Sequence, residues 1–486
     1  MSSPLFPFDN SYARLPDGFF ARQAPTPVPA PRLVRLNETL ARQLGLDPDR
    51  LAAPEGVAIL AGNAIPEGAE PLAMAYAGHQ FGNWVPQLGD GRAVLLGEII
   101  GRDGLRYDIH LKGAGRTPFS RGGDGRAVLG PVLREYIVSA AMEALGVPTT
   151  RALAAVTTGQ DIMRRGLHPG AVLTRIAQSH VRIGTFEFFA RRGDGEAVRR
   201  LADYVIARHY PDAARAAQPY RALLDAVIAR TAALVARWQQ IGFIHGVMNT
   251  DNMSIAGETI DYGPCAFMDT YDPATVFSSI DAQGRYAYGN QPRIAHWNLV
   301  RLAETLLPLL GDSEEAAVAS AQEALDAFPG RFEATALAGF RRKLGFFEDR
   351  EGDAALLQEL LDAMAEGKAD FTLTFRRLSD SADAARALFE TPTRFDSWAL
   401  KWQQRLAQES RSADARRAAM RAVNPAYIPR NHRVEAALAA AEAGDLGLTD
   451  ELLAVLAKPF DERPALARYA DPPLPDEVVT ATFCGT

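Results

Sequence analysis

The chain has 486 residues, 47% hydrophobic and 23% charged, an ordinary globular balance with length for about two to four domains. A formal net charge of −7 excludes a globally basic nucleic-acid binder or anionic-membrane binder, and two cysteines exclude a secreted disulfide framework or a thiolate metal cage. No apolar run reaches the length of a membrane span, and residues 1–10 carry neither a basic n-region nor an h-region. A cytoplasmic monomer with no nucleic-acid partner and no membrane association is the expectation.

Residues 1–85 are rich in Pro and Gly, as in Ala24-Pro25-Thr26-Pro27-Val28-Pro29-Ala30-Pro31, with one predicted helix over 33–44 stopped by Gly45. They have too few periodic apolar positions for a core of their own and read as an N-terminal extension packed on a neighbouring domain. From residue 86 the pattern turns β-rich. Runs 92–100 and 105–112 flank Gly101-Arg102-Asp103-Gly104, a hairpin signal. In the second run Leu105, Tyr107, Ile109 and Leu111 alternate with Arg106, Asp108, His110 and Lys112, which puts Lys112 on the face opposite the apolar set.

A loop dense in Gly and Arg covers 113–130. The next helix is predicted to open at Pro131 and stop at Gly146, with Val132, Leu133, Tyr136, Ile137, Ala140 and Ala144 at helical spacing and Glu135 in its first half. A second strong helix, 222–241, leads to His245. Residues 253–255 and 259–261 read as a short hairpin presenting Asp261. From about 298 onward the chain is Ala- and Leu-rich and helical. This order predicts an α+β protein: extension 1–85, β-rich small lobe 86–178, helical large lobe 179–330 and helical C-terminal extension 331–486.

The densest chemistry lies in His245-Gly246-Val247-Met248-Asn249-Thr250-Asp251-Asn252, followed nine residues later by Asp261-Tyr262-Gly263. Protein kinases carry His-Arg-Asp-Leu-x-x-x-Asn, whose Asp is the base and whose Asn binds metal, and then Asp-Phe-Gly for metal. His245, Asn252 and Asp261 keep those offsets, but Val247 stands where the base should be and cannot accept a proton. Asn252 and Asp261 offer the hard oxygen donors that magnesium takes. The bland alternative, a turn residue and a loop cap, does not account for several offsets matching at once. His245 is structural on this reading, since one histidine without partners makes no transition-metal site.

Lys112 precedes Glu135 by 23 residues, strand to helix, the arrangement in which kinases position nucleotide phosphates; a solvated surface pair is the competing reading. Leu88-Gly89-Asp90-Gly91-Arg92 could bring backbone amides to a phosphate or could be a plain turn. The Gly-x-Gly-x-x-Gly pattern is not completed there. Arg116, Arg121 and Arg126 surround Gly122-Gly123-Asp124-Gly125, and Arg175 and Arg182 lie seven apart. Such forks suit triphosphate oxygens, although any single arginine can equally be surface charge.

With these residues in view, the sequence resembles the selenoprotein O family, the YdiU-like protein adenylyltransferases with a protein-kinase-like bilobal fold. The matching stretches run from Phe8-Asp9-Asn10-Ser11-Tyr12 through Gly78-His79-Gln80-Phe81-Gly82, 87–93, 111–121 and 245–252. They continue to Asn424-Pro425, Ile428-Pro429-Arg430-Asn431-His432 and Cys484-Gly485-Thr486. The resemblance implies that ATP is bound flipped relative to kinases. AMP then passes to Ser, Thr or Tyr hydroxyls of protein substrates and pyrophosphate leaves; UMP transfer with manganese is a further implied activity. It implies that Lys112, Arg175 and Arg182 hold the triphosphate, while Gly89, Gly91, Arg92, Asp124, Gly125 and Asp261 contact the nucleotide. Glu135 would fix Lys112, Asn252 and Asp261 would hold Mg2+ or Mn2+, and Asp251 would be the catalytic base.

The resemblance also implies a redox-controlled disulfide between Cys265 and Cys484, against the bland reading of two unconnected thiols. Two other functions stay open. An atypical kinase could transfer the γ-phosphoryl group with the same lysine and metal residues; a non-catalytic pseudokinase could bind ATP as a scaffold. Val247 weighs against the first, and retention of Asp251, Asn252 and Asp261 against the second.

Overall fold

An antiparallel sheet organises the first third of the chain in this computed structural model, which describes residues 4–483. Its strands are β1 (Phe20–Arg22), β2 (Arg32–Leu36), β3 (Leu72–Met74), β6 (Ala93–Ile100), β7 (Arg106–Lys112), β8 (Ala127–Val128), β9 (Arg151–Met163) and β10 (Leu167–Ala177). They run in the order β1-β3-β6-β7-β10-β9-β2, with β8 added to β10. A separate hairpin pairs β4 (Gly78–Gln80) with β5 (Asn83–Val85).

The helix predicted over 33–44 is half strand. Residues Arg32–Leu36 pair with the edge of β9, Leu33 opposite Val156 and Leu36 opposite Ala154. An open strand edge needs hydrogen-bonding partners, and that tertiary demand overrides local helical spacing. The helix begins only after Asn37, whose side chain accepts from the Leu40 amide at 3.0 Å. It forms α1 (Glu38–Gln43), followed by α2 (Pro48–Ala52) and α3 (Pro54–Leu60). Leu40, Leu44, Leu51 and Leu60 share one core with Val94, Leu111 and Val172 of the sheet. The N-terminal residues thus supply three strands of the main sheet, the separate β4–β5 hairpin and one covering layer rather than an arm lying on a finished domain.

Strands β6 and β7 form the expected hairpin, with a register shift between Leu95 and Gly97. Both faces of β7 are buried. Ile109 and Leu111 point into the N-terminal core, while Asp108 and His110 are enclosed on the other side. Asp108 accepts from His180 Nδ1 at 2.9 Å and from Arg208 Nη2 at 2.6 Å. The polar alternation therefore marks an interior network rather than a solvated face. Helix α4 (Leu129–Ala144) starts two residues before Pro131 and lies on β9 and β10.

The rest is helical: α5 (Ile183–Ala190), α6 (Gly195–His209), α7 (Pro219–Gln240), α8 (Gln291–Leu310) and α9 (Glu314–Leu344), with a short pair β11 (Phe243–Ile244) and β12 (Ala266–Phe267). Leu224, Trp238, Phe243, Tyr262, Leu299 and Leu302 belong to its core. The expected hairpin within 253–261 does not form. Ser254 pairs with Arg182 and Thr259 with Thr149, so each half finds a partner elsewhere. Helix α9 runs through position 330, inside which the expected domain boundary falls. Beyond it come α10 (Asp353–Glu366), α11 (Phe371–Leu378), α12 (Ala382–Arg386), α13 (Thr393–Leu406), α14 (Ala413–Arg421), α15 (Asn431–Glu442) and α16 (Gly447–Leu456). The last two cover α4, with Tyr427, Val434, Leu438 and Leu456 packed among Leu133, Tyr136 and Ile137. Among the described residues no helix is long and apolar enough to cross a membrane.

Candidate active site

One cavity of about 490 Å³ lies between the sheet and residues 247–264. Gly89, Gly91, Arg92, Lys112, Asp124, Gly125, Arg175, Arg182, Asp251, Asn252 and Asp261 all line it, as does Val247. Glu135 stands directly behind Lys112, and Cys265 is outside the lining.

The back of the cavity is a buried charge cluster. Lys112 sits at the end of β7, opposite Leu173 of β10, and the same register places Arg175 opposite His110. Arg182 is the residue preceding α5. Lys112 Nζ donates to Glu135 Oε2 at 2.6 Å, and Arg175 Nε lies 2.5 Å from Glu135 Oε1. Asp261 receives Arg175 Nη2 at 2.5 Å and Arg182 Nη1 at 3.1 Å, with Lys112 Nζ 3.7 Å away. Burial pushes the Asp261 carboxyl up, but Arg175, Arg182 and Lys112 overcome it and hold the group well below the usual range. Burial also lowers Lys112, and neighbouring Arg175 adds to this. Three cations thus face two carboxylates in a site of low dielectric, which suits a polyanion. Arg182 is stacked over Tyr76 at 4.3 Å and lies 3.9 Å from Asp90.

The 245–252 loop is held from inside. His245 donates through Nε2 to Ile260 O at 2.9 Å, and its amide donates to Gln291 at 2.9 Å, the structural role expected of it. Asn249 accepts from Tyr286 OH and from the Phe81 amide. Val247 is 5% exposed and aliphatic, so no proton acceptor stands at that position. Asp251 is buried; burial, opposed by Arg182, pushes its carboxyl up to about 6. Asn252 donates Nδ2 to Val247 O at 3.0 Å, an orientation in which its Oδ1 remains the acceptor end of the amide. Together with the Asp261 carboxylate this is an all-oxygen donor set fitting Mg2+ or Mn2+. Among the described residues no cluster of three His, Cys, Asp or Glu side chains could hold a metal. A cation held at Asn252 and Asp261 therefore needs phosphate or water oxygens to complete its shell.

The Gly-Asp-Gly turn is braced rather than loose. Gly89 has φ +69°, and a side chain there would overlap the Phe119 ring. Thr117 Oγ1 donates to Asp90 O at 2.7 Å and Ser120 Oγ donates to Gly91 O, so the following loop clamps the turn. Asp90 itself points inward, accepting from the Met74 amide at 3.0 Å and pairing with His110 Nε2 at 3.1 Å. Asp124 is fixed by both Nη atoms of Arg164, at 2.7 and 3.0 Å. Arg121 lines the cavity, Arg126 also donates to Thr26 and Pro27 carbonyls, and Arg116 is exposed outside it.

Asp90, His110, Arg164 and Tyr76 had no role expected from sequence. The polar alternation of β7 was a visible signal for His110. Arg164 reaches Asp124 across 40 residues and left none. Cys265 is buried and its carbonyl accepts from Arg134 at 2.6 Å. Cys484 lies outside the described residues, while Thr482 runs beside Phe277 and Ser279.

A family model described as protein adenylyltransferase SelO matches residues 5–457. A protein nucleotidyltransferase YdiU of Rhodopseudomonas palustris (strain BisB5) is 67% identical over 488 residues, covering 99% of each chain. Proteins of the same description from Bradyrhizobium diazoefficiens and Methylorubrum extorquens are 66% and 65% identical, again over 99% of each chain. The chain therefore belongs to the protein adenylyltransferase SelO family and is a nucleotidyltransferase.

Proposed function

We propose that this enzyme transfers AMP from ATP to Ser, Thr or Tyr hydroxyls of proteins and releases pyrophosphate. ATP enters triphosphate first, with its γ end among Lys112, Arg175 and Arg182. In this reading 86–178 and 179–330 act as the small and large lobes of a kinase-like fold, extended by 1–85 and 331–486. The observation that carries it is the buried Arg175–Arg182 pair at the back of the cavity, joined by Lys112 around Asp261. With the γ end enclosed by the buried Arg175 and Arg182, the α-phosphorus is the atom this reading presents to the incoming hydroxyl.

Asp251 takes the proton of the incoming hydroxyl, and the hydroxyl oxygen bonds to the α-phosphorus. The bond from the α-phosphorus to the oxygen bridging it to the β-phosphate breaks, and pyrophosphate leaves against the three cations. A carboxyl pushed up to about 6 is still ionised at neutral pH and is a stronger base than an ordinary one. Asn252 Oδ1 and Asp261 would hold Mg2+ or Mn2+; when bound, the cation neutralises charge on the phosphate oxygens. Glu135 keeps Lys112 and Arg175 aimed into the cavity.

Parallel reactions with α-labelled and γ-labelled ATP test this. Label entering protein from the α position only, with pyrophosphate released, is expected; protein labelled from the γ position defeats the proposal. A Cys265–Cys484 disulfide belongs to the same reading, supported by Thr482, whose Oγ1 donates to Pro264 O next to Cys265. Peptide mass analysis of oxidised, unreduced enzyme should show the crosslinked pair, and two separate thiol peptides would refute it.

A further inference from the structure

We infer that the β4–β5 hairpin is part of the catalytic centre, and that Gln80 and Gly78 are positioning residues for the Asp251 carboxylate. The inference rests on the reading of Asp251 as the base. A two-stranded hairpin is marginal by itself, and this one stands apart from the main sheet, so what it docks on determines its shape. It docks on the 249–251 loop. The His79 amide donates to Thr250 Oγ1 at 2.7 Å, and the Phe81 amide donates to Asn249 Oδ1 at 2.9 Å. His79 Nδ1 is 2.6 Å from Glu187 Oε1 of α5, and the Ala77 amide donates to Gly184 O at 3.0 Å. Phe81 is held at φ +51°, a backbone region that non-glycine residues rarely occupy unless surrounding contacts impose it.

Between these anchors the hairpin meets both oxygens of Asp251. Gln80 Nε2 donates to Oδ2 at 3.4 Å, a long bond of the kind that tightens when a reactive complex forms. Oδ1 is buried with no hydrogen-bond partner among the described residues, and Gly78 closes on it. A Cβ at Gly78 would lie 2.6 Å from Oδ1 and 3.1 Å from both Cβ and Cγ of Asp251. The backbone of Gly78 is not left-handed, so glycine is required there for space alone. One oxygen is thus wedged and the other is held by one side-chain donor, Gln80 Nε2. Each carboxylate oxygen accepts about two hydrogen bonds, so Oδ2 keeps a site for the hydroxyl proton. Val247 removes the base from its usual place in the loop, and a hairpin 171 residues upstream supplies the support its substitute needs.

The test measures AMP transfer from α-labelled ATP to a mixed Ser/Thr/Tyr peptide pool by Gln80→Leu, Gly78→Ala, Asp251→Asn and the Gln80→Leu/Asp251→Asn double variant. Gln80→Leu should lower kcat about 10- to 100-fold, a fraction of the roughly 100- to 10,000-fold that general base catalysis supplies. Its KM for ATP and its ATP-induced rise in Tm should stay as in wild type. Gly78→Ala should also lose kcat, and the double variant should be no slower than Asp251→Asn. Wild-type kcat in Gln80→Leu, a loss traced to KM, or full additivity in the double variant overturns the positioning role while leaving Asp251 as base. Wild-type turnover by Asp251→Asn removes the base assignment itself, and the positioning role falls with it.

Discussion

Replacing Glu135 with Gln removes one negative charge from between Lys112 and Arg175 at almost constant side-chain volume. Glu135 is 2% exposed, and its two oxygens meet Lys112 at 2.6 Å and Arg175 at 2.5 Å. Burial pushes its carboxyl up, yet Arg175 and then Lys112 overcome burial and hold it below the ordinary range. Removing one partner of a buried ion pair costs about 3–5 kcal/mol, because the remaining charges stay buried. Asp261 still lies 2.5 Å from Arg175 and 3.7 Å from Lys112, so the lower figure, about 3 kcal/mol, is expected without nucleotide. A triphosphate supplies the missing negative charge. Ligand at 100 times its Kd stabilises a protein by about 2.7 kcal/mol, and the variant should gain more than wild type does from the same Mg–ATP. Turnover should fall roughly 100-fold as Lys112 loses its anchor. Thermal unfolding with and without Mg–ATP, beside α-label transfer, reads all three quantities. An unchanged Tm in the nucleotide-free variant, or an ATP shift no larger than that of wild type, would refute the charge reasoning.

Asp261→Ala should reduce metal-dependent transfer by at least about 100-fold with an unchanged circular-dichroism spectrum; near-normal transfer removes the metal assignment. Val247→Asp restores a carboxylate at the kinase base position but should give no γ-transfer, since the cations proposed to orient the nucleotide lie elsewhere. Efficient labelling by γ-labelled ATP in that variant contradicts the flipped nucleotide. Glu258 is buried, and burial pushes its carboxyl up to about 8. Its folded form keeps a proton that the unfolded chain loses near pH 4.5, so stability present below that pH is lost as pH rises to 8. Glu258→Gln should therefore gain on wild type between pH 5 and 8, by up to about 4 kcal/mol at ~1.36 kcal/mol per pH decade. Urea unfolding at both pH values measures this, and equal differences at the two values exclude it.

Several features of this protein were legible in adjacent residues. The β6–β7 hairpin followed from alternation around Asp103-Gly104, and α7 from its helical spacing. The metal candidates Asn252 and Asp261 came from the offsets after His245, whereas Asp251 as base came only from the family resemblance. The hairpin, the helix and the offsets are properties of neighbours in the chain, and local sterics and periodicity act over a few residues. What failed depended on remote partners. Arg32–Leu36 is a strand because β9 offers an open edge, and 253–261 is no hairpin because Arg182 and Thr149 take its two halves.

The site shows the same division. The spacing of Lys112 and Glu135 suggested a pair, and the structure closes it at 2.6 Å. The convergence of Arg175 and Arg182 on Asp261 was decided by the register of β7 against β10 and by the turn into α5, neither of which a single segment encodes. Within the long C-terminal extension, α15 and α16 cover the apolar outer face of α4, while α10, α11 and α13 share a separate core with Phe340 and Leu344 of α9 and with Met268 and Tyr271. Sequence alone determined which residue types were available for nucleotide chemistry. Tertiary structure decided which of them meet, because burial and strand pairing join residues that the chain keeps far apart.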